Sequence, residues 1–329
     1  MSGIIRPAAD NVVAVIVTLH PKRDVSEHVQ TLIGHVLRVV VVDNGSGSGA
    51  ASILDSIAAL PSVDVIRNPV NLGIAHALNQ GARAAIDAGA DWLLTLDQDA
   101  EPSHEIVRVA GRTFEAYPHS ERVAVVGSMS FEDYAIIQGR SKGEHGRKRP
   151  WMKASATITA GSFISLVAFQ EVGGFLDDLF IDMVDTEFCL RARSRGYRVV
   201  QSWTPAMTHR IGQPTERWIG FRTVHPSNHS ALRRYYITRN RLLVWRRYWR
   251  IDPRAAAKEM VEAEKELLKL LLVERDRGEK VRAILAGLRD GLRGVAGERG
   301  GHANKKLHWP DPRGPLTSAD GCVLDQRQP

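Results

Sequence analysis

The sequence predicts an α/β fold built on a mostly parallel sheet, and three observations carry that expectation. Continuous β-branched runs such as Val12-Val13-Ala14-Val15-Ile16-Val17 are the pattern of strands covered on both faces. Such runs alternate with helix-patterned segments, as in a doubly wound sheet. The runs also end in polar residues, Thr18, Asp43, Arg67 and Asp97, at the place where open α/β sheets bind ligands. One cleft beyond the strand ends would gather side chains far apart in sequence.

Each element follows in order. After the first strand, Leu37 to Val42 forms a second, ending in the turn sequence Asp43-Asn44-Gly45-Ser46. A short strand at Val63 to Arg67 precedes Asn71-Leu72-Gly73, which opens an Ala-rich helix to about Ala88, with Gly89 at the capping position. Trp92 to Asp97 is a buried strand that runs into Gln98 and Asp99. Val123 to Ser128 reads as a strand, and Gln138 to Pro150 as a basic, Gly-containing mobile loop. Thr157 to Val167 reads as another strand with Gly161 in its middle, where glycine suits either close approach of a ligand or a β-bulge. Asp185 to Arg195 reads as a helix with acids first, arginines late and Gly196 just past its end. An apolar strand at Tyr197 to Val200 then leads to His209, which precedes a loop containing Gly, Pro and Trp. Ser230 to about Gly297 is helical, and the Gly- and Pro-rich end after Glu298 is expected to be poorly ordered.

Composition narrows the partners. The 329 residues can hold one large α/β domain, or a domain with a helical appendage, and 43% hydrophobic with 25% charged residues is ordinary for a soluble protein. No apolar run approaches the ~20 residues that span a bilayer, and the first six residues lack the apolar core of a signal peptide, so a cytoplasmic location is expected. A net charge of +7 points to anionic partners: nucleic acid, a membrane surface or phosphorylated small molecules. Without zinc-finger spacing, a recognition-helix pattern or an aromatic RNA-binding signature, nucleic acid is the weakest of these. Cys189 and Cys322 offer neither a disulfide framework nor a metal-binding pair, and both read as structural or incidental.

Asp97-Gln98-Asp99 is the most chemical stretch, because two carboxylates at a strand's end can hold a hard divalent cation shared with phosphates. A plain surface turn is the competing reading. Asp185 sits where a helix N-terminus favours the ionised state that a general base needs, although helix capping and dipole matching account equally for Asp185 and Glu187. His209 alone would read as a packing or surface residue. The stretch from Arg233 to Arg250 interleaves arginines with Tyr and Trp, which suits either an anionic membrane interface or packing of the aromatics on the catalytic domain.

Taken in order, Val41-Val42-Asp43-Asn44-Gly45-Ser46, Asn68-Pro69-Val70-Asn71-Leu72-Gly73-Ile74-Ala75, Leu96-Asp97-Gln98-Asp99, Val172-Gly173-Gly174-Phe175, Phe180 to Phe188 and His209 resemble family 2 glycosyltransferases of the GT-A fold. The resemblance is closest to the rhamnosyltransferase branch and covers roughly residues 10 to 212. It implies a GT-A Rossmann-like, mostly parallel sheet in residues 1–229, with a nucleotide-sugar half over about 10–100 and an acceptor half over about 120–229. A helical extension at 230–297 and a flexible tail at 298–329 complete the expected organisation. Thr18, Asp43, Asn44, Arg67, Asn71, Gly73, Asp97 and Gly161 are the implied nucleotide-sugar contacts, and Asp97, Asp99 and His209 the implied ligands of Mg²⁺ or Mn²⁺. Asp185 is the implied catalytic base, although Val184 stands where the family usually has a glutamate before it. Asp182, Glu187 and Trp203 are implied in the donor and acceptor pocket.

The implied reaction is an inverting single displacement from a nucleotide sugar, dTDP-L-rhamnose by analogy, to a hydroxyl of a cell-surface glycan or lipid-linked acceptor, with the enzyme at the inner face of an anionic membrane. A galactofuranosyl- or other hexosyltransferase using a UDP-sugar is the nearest alternative. A nucleotidyltransferase would need a Gly-rich basic loop after the first strand, where this chain has Thr18-Leu19-His20-Pro21-Lys22-Arg23-Asp24. A non-catalytic sugar-nucleotide-binding module at a membrane is the alternative of another class.

Overall fold

The computed structural model describes residues 4–140, 149–209, 217–219, 222–224, 228–300, 307 and 309. The centre of the loop read at Gln138 to Pro150, the segment just after His209, Cys322 and most of the C-terminal tail lie outside the described residues. Four apolar strands open the chain: β1 (Val12–Thr18), β2 (Arg38–Asp43), β3 (Val63–Arg67) and β4 (Trp92–Asp97), separated by α1 (Asp24–Leu32), α2 (Ala51–Ala58) and α3 (Ile74–Asp87). They pair in parallel in the order β3-β2-β1-β4. Thr18 lies opposite Asp43, and Asp43 opposite Arg67, so the polar ends finish flush along one edge.

Alternation along β1 divides the interior into two cores. Val13, Val15 and Val17 face the core shared with α3, while Val12, Ala14 and Ile16 face the one shared with α1, α2 and the later α4 (Ile106–Glu115). Every one of these side chains is buried, and each contributes on the order of 1.5–3 kcal/mol if large and apolar. Close contact needs small residues on α3. A Cβ at Gly81 would lie 2.4 Å from a Val15 methyl, so glycine there lets the helix settle on β1.

Past β4 the sheet becomes mixed. The remaining strands are β5 (Ala100–Pro102), β6 (Val123–Ser130), β7 (Trp151–Lys153), β8 (Ser162–Ser165) and β9 (Arg198–His209), with α5 (Phe131–Arg140), α6 (Leu166–Val172) and α7 (Val184–Ser194) between them. The sheet continues β4-β8-β6-β9-β5, with β7 also on β9. β8 runs antiparallel to both β4 and β6, whereas β6 and β9 are parallel. Two expectations change here. The strand read from Thr157 to Val167 shrinks to β8, because Gly161 turns the chain at φ +75° and Ser165 caps α6. The strand read from Tyr197 to Val200 lengthens to His209, which therefore ends a strand instead of following one in a loop.

A two-stranded ribbon, β10 (Arg217–Ile219) with β11 (Arg222–Val224), leads to three helices: α8 (Ala231–Tyr248), α9 (Pro253–Val273) and α10 (Arg277–Arg293). α10 lies close on α8 because Gly287 and Gly291 face it; a Cβ at Gly287 would come within 2.6 Å of the Tyr235 carbonyl. α9 follows α8 through ion pairs, Arg234 to Glu266 at 3.2 Å and Arg241 to Glu259 at 3.4 Å. Tyr235, Tyr236, Val244, Trp245 and Tyr248 are all buried, as are Arg234 and Arg239. Most of the aromatics in the arginine-rich stretch thus pack inward, leaving Trp249 half exposed at its end.

Glu187 is fully buried, which removes it from the implied pocket. Both its oxygens accept from Arg191 at 2.8 Å, and one also accepts from the Tyr248 hydroxyl at 2.9 Å. Arg191 spends its other donors on the carbonyls of Val172, Gly173 and Gly174. Removing one member of such a pair strands a buried charge. Glu187→Ala should therefore lower unfolding free energy by about 3–5 kcal/mol in urea titrations. A parent-like midpoint would show that the pair does not hold these elements together.

Candidate active site

The site is assembled by strand register. β5 pairs antiparallel with β9 so that Ala100 lies opposite His209, which brings the histidine beside Asp99 and Asp97. One ligand atom from each of Asp97, Asp99 and His209 falls within 4.8 Å of the others. His209 Nε2 lies 3.7 Å from Asp99 Oδ1 and 4.0 Å from Asp97 Oδ2, too far for hydrogen bonds, so the three groups surround a space without closing it. Glu132 accepts from the His209 backbone N–H at 3.2 Å, fixing the strand's end. Gln98, between the acids, accepts from the Leu19 N–H at 3.0 Å and ties their turn to the segment after β1.

Electrostatics favours a cation there. Burial and the adjacent Asp99 carboxylate push Asp97 up to about 6, and its Oδ1 is buried with no hydrogen-bond partner among the described residues. Asp99 itself lies below the usual carboxylate range, because the His209 imidazole faces it, and the same contact raises His209 against its burial. Two carboxylates and an imidazole suit Mg²⁺ or Mn²⁺, and a cation would complement the stranded Asp97 oxygen.

The implied nucleotide contacts serve different purposes in the fold. Thr18 has no exposed surface and donates to Asp43 at 3.2 Å; Asp43 also accepts from the Ser46 N–H at 3.1 Å and from the Ser46 hydroxyl. Asn44 is buried, accepts from Asn68 and the Leu72 N–H, both at 3.1 Å, and donates to Asn71 at 2.9 Å. Thr18 and Asn44 are therefore braces beneath the cleft, a correction to their reading as ligand contacts. Gly73 and Gly161 are corrected likewise. A Cβ at Gly73 would sit 2.8 Å from Phe180, and one at Gly161 would sit 2.2 Å from Met207 Sδ, so protein already fills both spaces. Asn71 and Arg67 stay at the surface, Arg67 paired with Asp55 at 2.6 Å. Sequence reasoning passed over Ser46 as an individual residue, though it stands inside the Asp43-Asn44-Gly45-Ser46 turn.

Asp185 lies in the first turn of α7 and is partly buried. Its Oδ1 accepts from the Thr186 N–H at 2.6 Å and its Oδ2 from the Thr159 N–H at 3.0 Å, which fixes the carboxylate. It lines a small recess with Thr95, Thr157 and Thr159. Burial raises its pKa, and the two backbone bonds oppose that shift. The first turn of the helix favours the ionised form through the Thr186 N–H, as the position suggests, and burial outweighs it. Cys189 lines the same recess, and burial pushes its thiol up to about 12, which makes it inert.

Just before α7, Phe180, Asp182 and Met183 adopt φ values of 65°, 64° and 64°. Such non-glycine conformations cost about 1–3 kcal/mol each and persist only where surrounding contacts enforce them. Asp182 accepts from Arg233 at 3.1 Å, while its Oδ2 is buried with no partner among the described residues. Burial raises Asp182, with Arg233 opposing the shift. Trp203 lies six residues before His209 on β9, its backbone N–H bonded to the Pro150 carbonyl at 2.9 Å.

Comparison with known proteins bears on the family and the fold. The family described as Glycosyl transferase family 2 matches residues 15–165. The dTDP-rhamnosyl transferase RfbF of Shigella flexneri is 28% identical over 306 residues, 89% of this chain and 99% of the relative. The mannosyltransferase PcManGT of Pyrobaculum calidifontis, solved with GDP-Man and Mn²⁺, superposes with a TM-score of 0.52 at 16% identity, covering 89% of this chain and 79% of that one. S. aureus TarS 1-349, solved with UDP-GlcNAc, gives a TM-score of 0.52 at 16% identity, covering 87% of this chain and 81% of that one. At such identities the solved structures show the fold, that of GT-A glycosyltransferases.

A cation held by Asp97, Asp99 and His209 gives a direct measurement. Calorimetric titration should find Mn²⁺ binding to the parent, weakened in His209→Ala and Asp99→Ala by more than the roughly 10- to 100-fold that loss of a supporting group costs. Parent-like Mn²⁺ affinity in both folded variants would dismiss this ligand set.

Proposed function

We propose, from the premise that residues 15–165 belong to glycosyl transferase family 2, that this glycosyltransferase moves a sugar with inversion from a nucleoside diphosphate to an acceptor hydroxyl. The observation that carries the mechanism is the convergence of Asp97, Asp99 and His209 at the ends of β4 and β9; Asp185, at the start of α7, is read as the second centre. The nucleotide half is read as residues 10–100, where Arg67 and Asn71 are exposed near the strand ends and Asp43 is buried beneath them with Thr18 and Ser46. L-Rhamnose from dTDP-L-rhamnose is the proposed donor sugar, supported by the end-to-end likeness to RfbF. A UDP-hexose donor, including a galactofuranosyl one, is the alternative.

In the proposed step the acceptor oxygen attacks the anomeric carbon, and the carbon–oxygen bond to the diphosphate breaks with its electron pair leaving on the diphosphate. Asp185 accepts the hydroxyl proton as the new bond forms. The backbone N–H groups of Thr159 and Thr186 hold its oxygens in place. Asp97, Asp99 and His209 would hold Mg²⁺ or Mn²⁺, which supplies positive charge against the charge growing on the leaving diphosphate. Asp182, with an unpartnered buried oxygen, is suited to accept from a sugar hydroxyl.

The acceptor is proposed as a cell-surface glycan or its lipid-linked precursor at an anionic membrane. The surface that supports membrane contact is on α9, where Met260, Leu268, Leu271 and Leu272 are exposed at helical spacing. No helix among the described residues is long and apolar enough to cross a membrane.

Asp185→Asn keeps size and can keep the Thr186 bond while losing the one from the Thr159 N–H, so it should lower turnover by about 10²- to 10⁴-fold with donor affinity near the parent's and only a modest fall in melting temperature. Because burial raises the Asp185 pKa, the acid limb of the parent's kcat profile should lie above the ordinary aspartate value of 3.8, with activity present above it and lost as pH falls through it. Asp182→Asn is the control. An inactive Asp182 variant beside a fully active Asp185 variant would move the base to Asp182.

A further inference from the structure

We infer that Asn240, on α8, is a positioning residue: its amide clamps the turn that presents Asp182 and Asp185 to the cleft. The proposal rests on the reading of Asp185 as the base. Asn240 has no exposed surface. Its Nδ2 lies within hydrogen-bond distance of the carbonyls of Leu179 at 2.8 Å, Ile181 at 2.7 Å and Asp182 at 3.0 Å, and its two N–H groups are shared among the three. One amide nitrogen serving three carbonyls requires that all three point the same way. The left-handed residues Phe180, Asp182 and Met183 achieve this by turning successive peptide planes toward α8.

The rest of the clamp keeps that amide oriented. Asn240 Oδ1 accepts from Arg239 Nε at 2.9 Å, which fixes the amide so that its nitrogen faces the turn. Arg239 in turn donates to the Leu179 carbonyl at 3.2 Å and the Gly297 carbonyl at 2.6 Å. Phe180 stacks on Tyr236, with ring centroids 5.2 Å apart, and its carbonyl accepts from the Ile74 N–H at 2.8 Å. The turn is thus gripped from α8 on one side and from the start of α3 on the other.

A purely structural turn would relax its positive φ values with glycine. This one keeps side chains at all three positions, and Asp182 uses its own on Arg233 at the edge of the cleft. Strain retained beside a reactive carboxylate, and enforced by a buried amide from another helix, is the pattern of a pre-organised site. Misplacement by about 1 Å through loss of such support can cost about 10²-fold in rate.

The test is a graded series, Asn240→Ser and Asn240→Ala, beside Asp185→Asn. Hydrogen exchange on the intact chain should show faster exchange of the amides from 180 to 186 in both variants, with the sheet unchanged. With the donor that turns over in the parent, kcat should fall by about 10- to 100-fold in the alanine variant and less in the serine variant, while the donor dissociation constant holds. The serine variant retains a hydroxyl donor and keeps the test readable if the alanine variant does not fold. Unchanged exchange over 180 to 186 would overturn the clamp. Exchange rising throughout the chain, with kcat per folded molecule unaltered, would reduce Asn240 to a core residue. Full activity in Asp185→Asn would instead refute the base, while the exchange result still judged the clamp.

Discussion

Arg191 joins three parts of the molecule at one buried point, and the geometry of the acceptor side follows from it. Its guanidinium bonds Glu187 one turn earlier on α7 and the carbonyls of Val172, Gly173 and Gly174 at the end of α6. Tyr248 of α8 closes on the same glutamate. Five N–H donors in a fixed fork match this set of acceptors, and a lysine would leave carbonyls unpaired. Because the turn after α6 is held, the Phe175 backbone can pair with both ends of the Asn79 amide on α3, its N–H donating at 2.9 Å and its carbonyl accepting at 2.8 Å. The helix that carries Asp185 is thereby referenced to the helix that packs on the nucleotide-side strands.

How legible the molecule is from its sequence depends on how local the causes are. The first four strands were readable because a β-branched run buried on both faces has little alternative, and parallel register then sets their ends flush. Asp97 and Asp99 were readable as a pair for the same reason. His209 was not readable from its surroundings, since only the pairing of Ala100 with His209, across more than a hundred residues, brings it to them. The ordered resemblance to family 2 glycosyltransferases supplied what local pattern could not. β8 was misjudged in length because Gly161 at positive φ ends the strand, and apolar residues flank it on both sides.

The polar residues at the strand ends show a different limit. Thr18, Asn44 and Gly73 occur where ligand contacts would be expected, and the fold uses them to support the cleft. A buried hydroxyl or amide must find a partner, and Thr18 and Asn44 find theirs on protein groups. Spacing cannot separate a residue that touches a ligand from one that holds its neighbour in place. Glu187 is the extreme case. Its place two residues after Asp185 suggested a pocket, but on a helix that offset turns the side chain to the opposite face, here the core.

The same reasoning bears on the helices after residue 229. A boundary drawn there follows composition, which shifts from mixed strand patterns to charged helices. The core does not divide at that point: Val244, Trp245 and Tyr248 belong to the same buried cluster as Val13, Phe188 and Leu190. Asp252, which caps α9 through the Ala255 N–H, also takes Arg193 from the end of α7 at 3.0 Å and the Ser155 hydroxyl at 2.6 Å. Helix α7 is therefore fastened at its middle by Tyr248 and at its end by Asp252, while Asn240 holds the turn before it. Elements that fix both ends of the segment carrying Asp185 do part of the work of the domain before them, and the arginines of the stretch read as a membrane interface or packing helix include Arg234 and Arg239, which are spent on carboxylates and backbone carbonyls.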